Sequence, residues 1–367
     1  MNSVERERGL QAFLEQVLQV LQEGRRTATY KYSLLLAIID VMIEQCRSSG
    51  EAPETISTAA IARKVLALYW PQALPFEGRS VLRQNSKGQA EILRKVTAFR
   101  TRWAPDAYLP YWAAEAINEN AYARLQEFVE WKLIEMPIPR LQRVGKSEYR
   151  FLYTYGWLEG ATKADLQRGK ISRVLQFTKP ARTYLPSLGP LLRPLIHRQW
   201  TSAIVGWNEN LREVQNLEEF LFGKSRVPTS ALLPDLRELQ EGRCFYCRET
   251  IARSDTAVDH FIPWARYPDD GLANLVVADR KCNSKKRDFL AATGHLDRWI
   301  ERIRTRSDDL AVIAQAHRWD DATARMRHIA TAMYTPLPEE YPLWNSGDNF
   351  EPCNRAQIQE ILAEAGG

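Results

Sequence analysis

Cys244-Phe-Tyr-Cys247, Asp259-His260-Phe-Ile-Pro263, Asn274-Leu-Val-Val277 and Cys282-Asn283-Ser-Lys-Lys286 follow one another in a single stretch of the 367-residue chain, and their spacing decides how that stretch folds. A Cys-x-x-Cys pair on a tight turn lets two thiolates converge on one tetrahedral ion, and Cys282 brings a third from far along the chain. Three before Cys282, where a second Cys-x-x-Cys pair would begin, stands Asp279. Carboxylates ligate structural zinc less commonly than Cys or His, so Asp279 reads either as the fourth ligand or as a solvated loop residue, with water or another group completing the site. Bound Zn2+ would replace a core that so short a segment cannot build. Small buried cysteines without a metal are the bland alternative, and the x-x spacing beside a basic cluster disfavours it.

Phosphodiester hydrolysis needs a water deprotonated in line with the leaving oxygen, and positive charge against the phosphate. His260 is the candidate base, because a neutral imidazole accepts a proton near neutral pH. Asp259, its neighbour, points the other way along an extended strand, where a hard carboxylate oxygen suits Mg2+ or Mn2+. Asn283 would bring a carbonyl oxygen to the same ion from a helix starting near Cys282. Asn274 reads as an orienting group whose amide bonds the loop bearing His260 and fixes the imidazole's direction and tautomer. Lys286, one turn beyond Asn283, is expected to face the scissile phosphate, and Arg280, Lys281, Lys285 and Arg287 form a positive rim for backbone phosphates. Singly, each has a bland reading: an Asp-His pair is usually nothing, and a basic run is usually a solvated helix face. Order and spacing together point to chemistry.

This combination resembles the HNH, or ββα-metal, endonuclease family, and the spacing from Asp259-His260 through Asn274 to Asn283 and Lys286 is similar to that of the HNH domain in RNA-guided DNA endonucleases. The resemblance covers Arg243 to Leu290. It implies a metal-dependent nuclease with His260 as base, Asp259 and Asn283 as metal ligands and Asn274 as the middle Asn of the signature, whose final letter here is Asn283. Cys244, Cys247 and Cys282 look like the zinc-stapled subset, from which the chain departs at Asp279. The helical N-terminal region is loosely similar to the flanks of stand-alone HNH proteins of bacterial restriction and phage defence.

Composition sets wider bounds. A hydrophobic fraction of 45% with 26% charged residues is that of a folded globular protein, and the length implies two or three domains. The net charge of +5 is too small on this length to imply a polyanionic partner, so the local basic cluster must carry that argument. No apolar stretch follows a basic start, and the longest apolar run, around Leu34 to Ile43, contains Asp40 and is too short to span a bilayer. Neither a secretory signal nor a membrane is expected. Three clustered cysteines of five fit a reducing compartment, which makes the cytoplasm the expected location.

Apolar residues recur at helical spacing from Glu7 to Gln22 and from Tyr30 to Cys46, around a polar turn at Gly24 to Thr29. Thr55 to Tyr69 reads as a capped helix and Ala90 to Phe99 as another, a pair that faintly suggests a helix-turn-helix but fits ordinary packing better. Tyr122 to Leu133 is a further helix. Tyr149 to Tyr155 has the aromatic bias of a strand, paired with Leu141 to Val144 across Gly145-Lys146-Ser147. Leu191 to Leu211 is helical, as are His295 to Arg304, Asp309 to Ala316 and Asp321 to Met333, and Pro336 to Pro352 reads as loop. The expected architecture is therefore mainly α with a small α+β module: a helical N-terminal region over residues 1–226, a ββα-metal module over 227–292 and a helical C-terminal extension over 293–367.

Competing chemistries fail. Gly223-Lys224-Ser225 resembles the end of a phosphate-binding loop, but Glu218 stands where that loop needs glycine. His197, His295, His317 and His328 each sit in helical patterns, the usual setting of packed or surface histidines. The expected function is endonuclease, with DNA favoured over RNA. A non-catalytic zinc-stabilised nucleic-acid-binding protein is the alternative. The long N-terminal region could sense a ligand or a partner protein.

Overall fold

The run Leu34-Leu-Leu-Ala-Ile-Ile39 leaves no polar face, and the helix that contains it, Tyr30–Glu44, is buried on all sides over that run. The structure is a computed structural model that describes residues 3–23, 27–158, 160–209, 211, 216–223 and 228–364. The polar turn expected from Gly24 and the boundary expected at Arg226–Val227 fall partly or wholly outside these. The chain divides into two units, Met1–Met42 with Ala52–Gly223, and Ile43–Glu51 with Lys224–Gly367.

The first unit is mostly helical. Asp40 forms a buried ion pair with Arg193, which lies on the long helix Lys179–Trp207. Thr178 caps that helix by accepting from Ala181 N, and Pro186, Pro190 and Pro194 lie inside it. Pro186 and Pro190 each remove a backbone donor ahead of Leu191, which is why the sequence pattern starts the helix only there, while Pro194 lies within the stretch read as helical. A small antiparallel sheet orders Thr55–Ser57, Val174–Phe177 and Tyr153–Thr154, with the second strand in the middle. This corrects two expectations. Residues 55–57 are strand, and Ser57 caps the following helix Thr58–Tyr69 through its bond from Ala60 N. The tyrosine-rich segment pairs with Val174–Phe177, while the hairpin closes earlier, between Arg143–Val144 and Ser147–Glu148. Residues 70–90 separate helix Thr58–Tyr69 from Glu91–Trp103, far more than the short turn of a helix-turn-helix.

In the second unit, strands Thr256–His260 and Leu275–Asp279 pair antiparallel, with Asp259 opposite Val276 and His260 opposite Leu275. Helix Arg280–Lys286 follows at once. Leu275 to Ala278 are wholly buried, as expected of an apolar run covered on both faces. One covering element is helix Thr293–Thr305: Trp299 stacks on Phe261 at 4.7 Å, and Arg302 donates to the carbonyls of Ala273 and Leu275. The free edge of the second strand is closed by a side chain, since the Gln240 amide donates to Val277 O and accepts from Val277 N, both at 2.8 Å. Helices Ser307–His317 and Thr323–Tyr334 complete the expected helical part. The tail corrects the reading again, because Pro342–Ser346 and Asn349–Pro352 form a hairpin and Arg355–Glu364 a last helix. Among the described residues no helix is long and apolar enough to cross a membrane. The architecture is mainly α with a small α+β module between helical regions.

Candidate active site and metal cluster

The knuckle that carries the first two cysteines is closed by backbone bonds, Cys244 N to Glu249 O at 2.8 Å and Arg248 N to Cys244 O at 3.0 Å. Arg298 reaches it from helix Thr293–Thr305 and donates to Phe245 O at 2.9 Å. Cys282 lies on the module helix, and Asp279 is that helix's N-cap, accepting from Cys282 N at 2.8 Å through Oδ1. Its other oxygen accepts from the Cys247 thiol at 3.3 Å.

The ligand atoms of Cys244, Cys247, Asp279 and Cys282 lie within 4.8 Å of one another. A tetrahedral site with Zn–S bonds of about 2.3 Å places its sulfurs about 3.8 Å apart, so this donor set fits zinc with a small contraction. Burial pushes the Cys244 thiol up to about 11 and also raises Cys282. Burial would raise Asp279 too, but hydrogen bonds from Cys282 and its neighbours outweigh it and hold the carboxyl at about 2. A cation is what allows such crowded thiols to ionise together. Of the two readings of Asp279, the geometry places the carboxylate in the cluster.

At the other end of the hairpin, the His260 Nε2 lies 2.8 Å from Asp270 Oδ1, and Trp264 meets the imidazole edge-on at 5.5 Å. The Asn274 amide does not touch that ring. It accepts from Ile262 N at 2.8 Å and donates to Ile262 O at 3.2 Å and Asp269 O at 2.9 Å, which ties the backbone after His260 to the loop bearing Asp270.

Asp259 Oδ2 accepts from Tyr246 at 2.5 Å and faces Lys286 Nζ at 3.0 Å. Burial, with the Asp259 charge beside it, pushes the Tyr246 phenol well above its ordinary value, so it remains a donor. Asn283 precedes Lys286 by three on the same helix and so lies on the neighbouring part of its face, half-buried.

Lys286 departs from expectation. It is completely buried, and Nζ donates to His260 O at 2.8 Å as well as facing Asp259, so it is an internal counter-charge and cannot sit on a phosphate-binding rim. Arg280, Lys281 and Arg287 are exposed, whereas Lys285 pairs with Asp348 at 2.7 Å. Asp270, Tyr246, Arg298 and Gln240 are contributors that residue spacing does not reveal. The only sequence signal for Asp270 is the acidic doublet Asp269-Asp270 before Gly271, which reads first as a turn.

The remaining histidines have structural partners: His197 stacks on Phe222, His295 and His328 bond backbone carbonyls, and His317 meets Asp235.

Residues 244–292 match the family described as HNH endonuclease, and residues 9–221 match one described as a domain of unknown function, DUF8808. No curated protein and no solved structure matches the chain. Since the second match spans more than half of the 367 residues, the chain belongs to the DUF8808 family, and its residues 244–292 are an HNH endonuclease domain.

Proposed function

We propose that the protein is a metal-dependent endonuclease that hydrolyses phosphodiester bonds of nucleic acid, DNA in preference to RNA. The observation that carries this reading is the hairpin itself, which holds a zinc-type cluster at one end and, at the other, an Asp259-His260 pair whose imidazole is held by a carboxylate. His260 accepts a proton from the attacking water. Asp259, through the oxygen not engaged by Tyr246 and Lys286, and Asn283, through its carbonyl, would hold Mg2+ or Mn2+. Two hard oxygen donors fit a cation that keeps most of its waters. When bound, that ion supplies positive charge against the phosphate. Arg280, Lys281 and Arg287 offer the exposed charge that a phosphate backbone requires.

The test is cleavage of a plasmid and of a labelled RNA by the full chain, with and without a chelator. His260→Ala is expected to lose cleavage while retaining fold and nucleic-acid binding; cleavage that survives in this variant would sink the reading. The non-catalytic alternative predicts that the wild type cuts neither substrate and that His260→Ala leaves the biological activity intact. Restriction or phage defence is the setting we propose, supported by the large helical unit attached to the nuclease domain. Phage plating on cells that express wild type or His260→Ala checks it.

A further inference from the structure

The loop that presents Asp270 is held from several directions. Trp319 Nε1 donates to Asp270 O at 2.7 Å, and the amides of Leu272 and Ala273 donate to the carbonyls of Asp320 and Asp321 at 2.8 and 3.0 Å. Gly271 N donates to Asp269 Oδ1 at 2.7 Å, and Arg325 pairs with that same carboxylate at 2.8 Å. Burial would lower Arg325, but the charges of Asp269 and Asp320 more than reverse this, so its cation is firmly retained. The adjacent carboxylate, Asp270, is turned to His260 instead. The two side chains are only 6% and 12% exposed.

A histidine nitrogen that faces a carboxylate must donate to it, and a nitrogen that donates cannot accept a proton. We propose that Asp270 is the positioning residue of the nuclease: it accepts the Nε2 hydrogen of His260, fixes that tautomer, and leaves Nδ1 as the atom that takes the proton of the attacking water. The proposal rests on the nuclease reading above.

In the step, one O–H bond of water breaks and its proton goes to Nδ1. The water oxygen bonds to phosphorus, the bond from phosphorus to the leaving oxygen breaks with its electron pair, and solvent protonates the leaving oxygen. The imidazolium so formed keeps its Nε2 hydrogen against the Asp270 carboxylate, where the opposite charge stabilises it. Asn274, the residue expected to set the tautomer, instead fixes the backbone between the two members of this pair.

The experiment uses the full chain labelled with 15N-histidine at about pH 8.5, where an ordinary imidazole is neutral. Two-bond proton–nitrogen spectra report which ring nitrogen carries hydrogen, and His260→Gln assigns the signal. Wild type is expected to show hydrogen on Nε2, Asp270→Ala to lose that preference, and Asp270→Glu to regain part of it. With a labelled duplex as substrate, Asp270→Ala should lower kcat by roughly 100- to 10,000-fold with KM nearly unchanged.

Hydrogen on Nδ1 of wild-type His260 overturns the proposal even if Asp270→Ala does not fold. So does an Asp270→Ala variant with wild-type tautomer and kcat. A wild-type chain that cuts nothing while its tautomer follows residue 270 would overturn the nuclease reading and support the positioning contact.

Discussion

Lys286 Nζ lies 3.0 Å from Asp259 Oδ2, and the lysine side chain has no exposed surface. The five basic residues between Arg280 and Arg287 look alike in sequence, yet Lys286 is an interior ion and its neighbour Lys285 a half-exposed surface ion paired with the open Asp348. Removing one partner of a buried pair leaves an uncompensated charge and costs about 3–5 kcal/mol, whereas an exposed pair contributes about 0–1 kcal/mol. Lys286→Met should therefore lower the Tm of the second unit by many degrees and Lys285→Met hardly at all. Comparable melting of the two variants would refute the distinction.

Zinc content sorts the role of Asp279. If its Oδ2 is a ligand, the protein carries one Zn2+ per chain by elemental analysis, Cys282→Ser loses it and unfolds the second unit, and Asp279→Cys retains it. Asp279→Ala is expected to lose zinc as well as the helix cap. The cap alone accounts for about 0.5–2 kcal/mol, so full zinc occupancy in Asp279→Ala with only that loss would make the residue a cap and nothing more.

The parts of the site legible in the sequence are those whose chemistry demands a residue type at a set spacing. Cys244, Cys247 and Cys282 need the x-x turn and a distant third thiol, and Asp259-His260 needs an alternating strand. Residues that serve by tertiary approach leave no such trace. Asp270 reaches His260 only because the loop before the second strand folds back, and Tyr246 reaches Asp259 across the knuckle. The same limit applies to the fold. Helices with an apolar period are legible, but the prolines of Lys179–Trp207 hide its first three turns, and the strand Val174–Phe177 has too few residues to show a period before its partners are known.

Gly271 is required by space. Its φ is −57°, so a side chain would suit the backbone, but a Cβ there would lie 2.1 Å from the Cβ of Ala322 and 2.7 Å from Asp269 Oδ1. Gly271→Ala should destabilise the second unit by about 1–3 kcal/mol and carry Asp270 away from His260, so that cleavage falls with stability. Ala322 itself has φ +60°, a conformation that glycine adopts without strain. Ala322→Gly removes the clashing methyl and suits that backbone, so the double variant should melt well above Gly271→Ala. A double variant no better than the single one would mean that the clash is not with Ala322.

The first unit carries an acid-sensitive group of its own. Burial, with Arg193 nearby, lowers His197 to about 3, and the ring stacks on Phe222 with 7° between the planes. Its folded value lies below the unfolded value of about 6.5, so above that pH both states hold it neutral and it contributes no pH dependence. As the pH falls from about 6.5 towards 3 the unfolded chain binds a proton that the folded one does not, and stability drops by about 1.4 kcal/mol per unit. Melting of the first unit followed between pH 7 and 4.5 should show this slope, and His197→Gln should flatten it while lowering stability at neutral pH through the lost stacking. An unchanged acid slope in His197→Gln would place the sensitivity in another group.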